Sequence, residues 1–159
     1  MLNHHTKRIL SLVVVVGAAS LLLFYARARA NAPTGRYVVA TTTVLDTETN
    51  LLWQQAAPST AMGWADAGAY CAGLGATLGG TGWRLPTAKE LMTLYDFSMT
   101  STSVVHLDPT AFSTAAPDAR FWSSTTYTSK TGSAHHVNLT SASIDADAET
   151  VMVSVRCVR

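Results

Sequence analysis

The sequence predicts an α+β domain, with two helices and an irregular antiparallel sheet, behind an N-terminal export segment. Three observations lead to this class. Two segments, residues 60–74 and 88–95, repeat apolar side chains at helical spacing. Several short runs rich in Val, Phe, Trp and Thr lie between turn residues, as strands do. An apolar run near the start of the chain precedes all of these segments.

The first thirty residues have the pattern of a targeting segment. Lys7 and Arg8 precede a largely apolar run from Ile9 to Tyr25, and Ala28-Arg29-Ala30 matches the small-x-small pattern that signal peptidase reads. We therefore expect residues 1–30 to be a signal peptide. An uncleaved membrane anchor is the alternative, although the run is short against the ~20 residues that a spanning helix usually needs. Both interpretations predict an exported domain that is secreted, periplasmic or on the cell surface.

The charge balance changes once the targeting segment is set apart. The whole chain has 11 Lys and Arg and 10 Asp and Glu, a formal net charge of +1. Seven cations and all ten acids fall in residues 31–159, so the net charge there is −3. This balance predicts no nucleic-acid partner. Residues 31–36 are expected to form a polar linker, and residues 37–159 a single domain.

The first strands are predicted around a hairpin. Tyr37–Ala40 has the composition of a strand. Val44–Asp46 and Leu51–Gln54 flank Thr47–Asn50, which carries turn-forming residues. We therefore expect the second and third strands to form a β-hairpin.

The first helix is predicted to begin with a cap at Ser59 or Thr60 and to run to about Leu74. Its apolar face at helical spacing consists of Trp64, Ala67, Cys71 and Leu74. The glycines between residues 73 and 82 then predict a loose loop.

The segment Trp83–Leu91 is predicted to turn the chain into the second helix. Thr87 and Glu90 have the spacing of a capping box, in which each side chain bonds the backbone N–H of the other residue. The helix is expected over residues 88–95, and Arg84 is expected to be buried beside Glu90 or a backbone carbonyl. We interpret six residues here as a structural motif: Trp83, Arg84, Leu85, Pro86, Thr87 and Glu90.

The second half of the chain alternates loops and strands. Residues 98–120 have little periodicity and predict a long ordered loop, followed by strands at Phe121–Thr126 and Ala134–Leu139. Ser141–Glu149 is polar and predicts a turn. The last strand is expected at Val151–Val158, where alternation puts Ser154 and Arg156 on the face opposite the valines and Cys157.

Cys71 and Cys157 are the two cysteines of the chain. An even number of cysteines in an exported protein favours a disulfide bond. A reactive thiol or a metal pair is the alternative, but no CxxC or His-x-x-Cys spacing supports either of them.

Several landmarks stand in order along the predicted domain. They are Leu51–Gln54, residues 64–71, Trp83–Leu91, Phe121–Thr125 and Val155–Arg159. In this order they resemble the Lcl C-terminal domain family, a bacterial domain of unknown function. The Arg84–Thr87 run with its following Glu and the Arg-Cys-Val-Arg end also resemble the formylglycine-generating-enzyme-like group. The resemblance implies a C-type-lectin-like α+β fold whose two ends join in one sheet.

The resemblance implies little about function. The name-giving member is a surface adhesin whose C-terminal domain is associated with binding sulfated glycans. That adhesin has a collagen-like Gly-X-Y stalk, which this chain lacks, so trimerisation through a stalk is not implied. The net charge of −3 and the scattered cations argue against a basic glycan-binding surface here.

Trp122, Ser123 and Ser124 combine an aromatic ring with hydroxyl groups, as carbohydrate sites often do. We expect Trp122 to lie in the core, like the other three tryptophans, because the resemblance suggests that its strand runs through the domain. The three residues therefore remain weak candidates for ligand binding.

The histidines of the predicted domain give little sign of a metal site. His135 and His136 are neighbours on a predicted strand and should face opposite sides, one half-buried and one exposed. His106 and Asp108 lie close together in a loop, but no third ligand accompanies them.

Asp145, Asp147 and Glu149 alternate with alanines. In an extended segment they would project three carboxylates from one side, which calcium could use. The glycine and bidentate acid of an EF-hand loop are missing, so we expect a solvated acidic turn. His135, Asp145 and Asp147 remain weak binding candidates, and no metal, cofactor or catalytic set is predicted.

These observations predict an exported, non-catalytic binding or adhesion module that recognises a carbohydrate or protein partner at the cell surface. The expected recognition loops are residues 98–120 and 128–133. A structural or assembly subunit of an envelope complex is the alternative, and a formylglycine-generating enzyme is the weakest interpretation. Membrane contact is expected only through an uncleaved N-terminal segment, and the oligomeric state is left open.

Overall fold

The computed structural model describes residues 32–99, 105–113 and 116–159, which belong to one compact unit, Asn31–Arg159. The predicted targeting segment, residues 1–30, lies outside the described residues. The described ranges contain six strands and three short helices, an α+β arrangement as expected. Within these ranges no helix has the length and hydropathy to cross a membrane.

The strands form two separate three-stranded antiparallel sheets, β1-β2-β3 and β4-β5-β6, in which each strand pairs with its neighbour in sequence. The elements in chain order are β1 (Tyr37–Val39), β2 (Thr43–Asp46), β3 (Leu51–Gln54), α1 (Trp64–Gly73), α2 (Gly75–Leu78), α3 (Ala88–Thr93), β4 (Arg120–Thr126), β5 (Ser133–Asn138) and β6 (Ser143–Ala148).

The predicted hairpin is confirmed. β2 and β3 pair antiparallel, with Val44 opposite Trp53, and the turn closes with Asn50 at a φ of 56°. Asparagine adopts this left-handed conformation more readily than most residues, which explains why the turn ends there. Arg36, placed in the linker by its sequence, bonds the buried Asp46 carboxylate at 2.8 Å.

The acidic segment is a strand rather than the predicted polar turn. Ser143–Ala148 is a strand, paired with β5 at six successive positions. The turn lies just before it and includes Ala142 at a φ of 55°. Asp and Ala have low strand propensity, but pairing with the well-packed β5 outweighs that preference.

The helices begin and end differently from the prediction. α1 begins at Trp64, with Gly63 as its N-cap and no side-chain cap, rather than at Ser59 or Thr60. Its first backbone N–H donates to the Glu149 carbonyl at 2.8 Å, so a distant segment replaces the expected local cap. The glycine-rich loop contains the helical turn α2, and α3 ends at Thr93, two residues early.

The C-terminal segment, residues 151–159, does not form the predicted continuous last strand. It is extended, but its backbone forms isolated pairings with four places in the fold rather than one continuous ladder. Its partners are Met62, Phe121 and Trp122 of β4, Arg84, and Leu52 and Gln54 of β3. Because the segment bonds both β3 and β4, it joins the two sheets. Ser154 and Arg156, expected on the face opposite the valines and Cys157, are fully buried because the segment is covered on both sides.

The predicted disulfide between Cys71 and Cys157 is present, and both residues are fully buried. It joins α1 to the C-terminal segment across a sequence separation of 86 residues. Restraining the unfolded chain over such a loop stabilises the fold by about 4 to 5 kcal/mol on the chain-entropy model. One apolar cluster surrounds this bond, and a second lies around Trp53, Leu91 and Phe121.

Candidate functional site

The Trp83–Leu91 segment contains the predicted capping box. The Thr87 hydroxyl accepts the Glu90 backbone N–H at 3.2 Å, and the Glu90 carboxylate accepts the Thr87 N–H at 2.7 Å. Arg84 donates two further bonds to Glu90 at 2.8 and 2.7 Å. These bonds lower the pKa of Glu90 to about 2, and the hydrogen bonding with Arg84 is the largest cause. Arg84 pairs with Glu90 as expected, but its side chain is 46% exposed rather than buried.

Two backbone contacts fix this segment against the rest of the domain. Arg84 exchanges hydrogen bonds of 2.9 and 3.0 Å with Val158 of the C-terminal segment. On the other side, the Ser124 N–H of β4 donates to the Pro86 carbonyl at 2.7 Å. The exposed Arg84 side chain therefore projects from a backbone that is held at both ends.

A groove of about 380 Å³ lies beside this segment and is bordered by α1. We call it the α1 groove. Its lining is mostly apolar and consists of Trp64, Ala65, Gly68, Ala69, Ala72, Trp83, Arg84, Leu85 and Ser124. The four small residues are spaced i, i+3, i+4 and i+7, so they share one face of the helix.

The two tryptophans of the α1 groove are held by their indole N–H groups. Trp64 donates to the Ser123 carbonyl at 2.7 Å, and Trp83 donates to the Gly79 carbonyl at 2.9 Å. Trp83 is buried, as expected for a core residue, whereas Trp64 is half-buried. The rings therefore form a preset apolar surface, and their polar atoms are already satisfied within the protein.

Gly68 is notable because packing does not require a glycine there. A Cβ built at this position meets no atom within 4 Å. Glycine in a helix interior costs about 0.5 to 1 kcal/mol relative to alanine. The helix therefore gives up some stability at a position that faces the α1 groove, and the helix backbone there stays uncovered by a side chain.

Residues 42–159 match the family model of the Lcl C-terminal domain. The chain belongs to the Lcl C-terminal domain family. No curated protein matches the chain.

The predicted sugar-site residues of this Lcl C-terminal domain do not lie together on the surface. Trp122 is fully buried and donates its indole N–H to the Met62 carbonyl at 2.9 Å. Ser123 is also fully buried and bonds the His135 carbonyl at 2.8 Å. Ser124 alone of the three is exposed, and it lines the α1 groove. The aromatic rings beside it are those of Trp64 and Trp83.

The two neighbouring histidines of the Lcl C-terminal domain face opposite sides of β5, as expected. His136 packs edge-on against Trp122, with ring centroids 6.0 Å apart, while His135 packs against Tyr127 at 5.2 Å. The expected exposure is corrected, because His136 is buried and His135 is half-buried. Burial is the main reason that the pKa of His136 lies below its ordinary value.

Asp145, Asp147 and Glu149 do not converge on one site, and the two aspartates have different partners. Asp147 accepts Arg120 at 2.7 Å and lies 3.6 Å from His136, while Asp145 accepts the Ser143 hydroxyl at 2.7 Å. Glu149 follows the end of β6, so the three acids do not form one strand row. Across residues 32–99, 105–113 and 116–159, no group of three His, Cys, Asp or Glu is placed to hold a metal ion.

The expected recognition loop of the Lcl C-terminal domain is described only in part, because residues 100–104 and 114–115 lie outside the described ranges. His106 and Asp108 are both buried. Asp108 accepts the N–H and hydroxyl of Thr110 at 2.8 and 2.6 Å, which makes it part of a local turn. The second expected loop, residues 128–133, connects β4 to β5 and is exposed up to Gly132.

Arg156 is the residue whose placement the sequence interpretation missed most clearly. It is fully buried, with its guanidinium donating to the carbonyls of Gln54, Gln55 and Ser113 at 2.8, 2.6 and 3.0 Å. Its cation also lies 4.9 Å from the ring centre of Phe112. Burial lowers the pKa of Arg156 to about 10, so it stays charged at neutral pH. No local signal in the sequence marks the three distant carbonyls as its partners.

Proposed function

We propose that this Lcl C-terminal domain is an exported, non-catalytic module that binds a carbohydrate or protein partner at the cell surface. The observation that carries the proposal is the α1 groove. It combines an apolar floor of small residues with two fixed tryptophans and a polar rim at Arg84 and Ser124. Sugars and peptide side chains both bind such sites, because they bury an apolar face and pair their polar groups at the rim.

The Glu90 carboxylate and the two cysteines are in states that support binding rather than catalysis. The Glu90 carboxylate near the rim is held by Arg84 and Thr87, and its pKa of about 2 keeps it ionised at neutral pH. A general acid or base works best with a pKa near the operating pH. The two cysteines on which formylglycine-type chemistry would depend are buried in one disulfide.

The pairing of chain ends supports the finer expectation of a C-type-lectin-like fold. Arg159 exchanges backbone hydrogen bonds of 2.9 Å with Leu52 of β3, so the end of the domain is joined to its first sheet. The disulfide supports export, because such bonds persist mainly in oxidising compartments outside the cytoplasm. The proposed exported form agrees with the targeting pattern in residues 1–30.

A structural or assembly subunit is the second candidate. Several large apolar side chains are exposed on the described surface, among them Phe97 at 78% and Met152 at 61%. Exposed apolar residues of this size often mark contacts between proteins. Size-exclusion chromatography with light scattering separates the two candidates, since a strict monomer at high concentration contradicts an assembly role.

The binding proposal is tested by a glycan array and by a defined panel of cell-surface proteins, each probed with the full chain. Each hit is then repeated with Ala69→Leu, which fills the α1 groove from an exposed position on α1. The matched control is Ala76→Leu, an exposed position on α2 that does not line the groove. Hits lost only in Ala69→Leu support the proposal, and silence on both panels contradicts it.

A further inference from the structure

The strand β6 is the outer strand of the second sheet. Within the described ranges it pairs with β5 on one side, and no strand pairs with its other side. The pairing with β5 runs through six successive positions without a bulge. Natural proteins usually protect such an edge with charges, proline or a bulge; β6 has no lysine, proline or bulge, and its two aspartates oppose pairing with acidic chains but not with basic ones. Its outer backbone N–H and C=O groups are therefore suited to pairing with another extended chain.

The two faces of β6 have different chemistry. Ser143, Asp145 and Asp147 point to one side of the sheet, because successive residues of a strand alternate. Ile144, Ala146 and Ala148 point to the other side. Ile144 is 46% exposed, so its face of the edge offers an apolar contact. An incoming strand would meet acids on one face and small or branched apolar residues on the other.

The two acids on β6 are not neutralised equally. Asp147 already has the guanidinium of Arg120 at 2.7 Å. Asp145 is exposed and bonds the neutral hydroxyl of Ser143, and in the described part of the chain it forms no ion pair. The middle of the edge therefore carries a negative charge that is open to a cation.

We propose that β6 is a docking edge for an extended segment of a partner protein that has basic residues at alternate positions. The segment adds as a fourth strand, and its backbone bonds the outer edge of β6. One of its basic side chains lies opposite Asp145, the acid that forms no ion pair in the described part of the chain, while an apolar residue beside it covers Ile144. Opposite charges at such cross-strand positions stabilise the pairing.

A second copy of this chain is a poor occupant of the same edge. Antiparallel pairing of two β6 strands would bring Asp145 and Asp147 of both copies onto one face. Like charges in these positions are destabilising. The charge pattern therefore favours a different, basic partner. This edge shares no lining residue with the α1 groove, so the inference does not depend on the proposed function.

The test uses a synthetic capped peptide of three Arg-Val repeats, titrated into the full chain by isothermal calorimetry at low and high salt. One control peptide has Glu in place of Arg, and a second has N-methyl groups at alternate residues, which prevent strand pairing on one edge. We expect only the Arg-Val peptide, and neither control peptide, to bind. Its affinity should fall as salt is added. Amide exchange should slow in β6 on binding.

Three charge variants locate the binding. Asp145→Lys should weaken the Arg-Val peptide by about fivefold or more, because the variant replaces an attractive cross-strand pair with a repulsive one. Glu48→Lys makes the same change at an exposed turn residue outside β6, and should leave the affinity within twofold. Asp145→Asn removes the charge with little change of shape, so it controls for misfolding of the lysine variant. It should weaken the affinity for the peptide less than Asp145→Lys does. Equal losses in Asp145→Lys and Glu48→Lys, or equal binding of the N-methyl peptide, would overturn the proposal.

Discussion

Arg84 and Glu90 form a bidentate ion pair at the rim of the α1 groove, with nitrogen-to-oxygen distances of 2.8 and 2.7 Å. The same Glu90 carboxylate caps α3 by accepting the Thr87 N–H. A short local sequence therefore does two things at once. It begins a helix, and it fixes the position of Arg84, the one charged side chain among the described residues that line the groove.

Thr87→Ala is expected to lower the free energy of unfolding by about 1 kcal/mol, because it removes the side-chain acceptor for the Glu90 N–H. Urea unfolding followed by circular dichroism measures the change. Thr81→Ala, at an exposed position before Trp83, serves as the control and should match the parent. Coincident curves for Thr87→Ala and the parent would mean that the cap contributes nothing.

Arg156→Met should lower the free energy of unfolding by about 3 kcal/mol, because one buried and two partly buried carbonyl oxygens lose a charged donor while the side-chain volume is nearly kept. Lys130→Met removes a cation from an exposed turn and should change stability by less than about 0.5 kcal/mol. Chemical denaturation of both variants gives the comparison. Similar small changes in the two would contradict a central role for the Arg156 bonds.

Folding stability should fall as pH drops from about 6.5, in part because of His136. Burial lowers the pKa of this residue, and Arg120 adds to the lowering, while Asp147, Asp145 and Asp118 oppose it. Because its pKa is lower in the folded state, the unfolded state takes up the proton first as the pH falls. Stability is thus highest above the unfolded pKa and declines until the folded pKa is passed.

His136→Gln should flatten this dependence between about pH 7 and pH 5, measured as unfolding free energy at a series of pH values. His135→Gln, which changes the neighbouring residue on the opposite face of β5, is measured in parallel as the matched variant. An unchanged slope in His136→Gln would show that other groups cause the acid sensitivity.

The elements that could be predicted from the sequence are those set by near neighbours. The Thr87–Glu90 capping box and the hairpin turn at Asn50 depend on residues within four positions of each other. The disulfide could also be predicted, because two cysteines allow a single intramolecular pairing and the targeting pattern in residues 1–30 favoured an oxidised pair.

The elements that could not be predicted depend on distant partners. α1 begins where the Glu149 carbonyl accepts the Trp64 N–H, a contact that no local pattern announces. The burial of Arg156 could not be predicted, because alternation shows which residues share a face but not whether that face is covered. The α1 groove was missed for the same reason, since Ser124 and Trp64 come from segments far apart in sequence.

Binding in the α1 groove is tested by the dissociation constant of a ligand from the glycan or protein panel, compared between the parent chain, Ala69→Leu and Ala76→Leu. If the α1 groove is the binding site, Ala69→Leu weakens binding by roughly tenfold or more, a loss of about 1.4 kcal/mol. Ala76→Leu then stays within twofold of the parent. Parent-like affinity in Ala69→Leu, with an unchanged unfolding curve, would contradict the account.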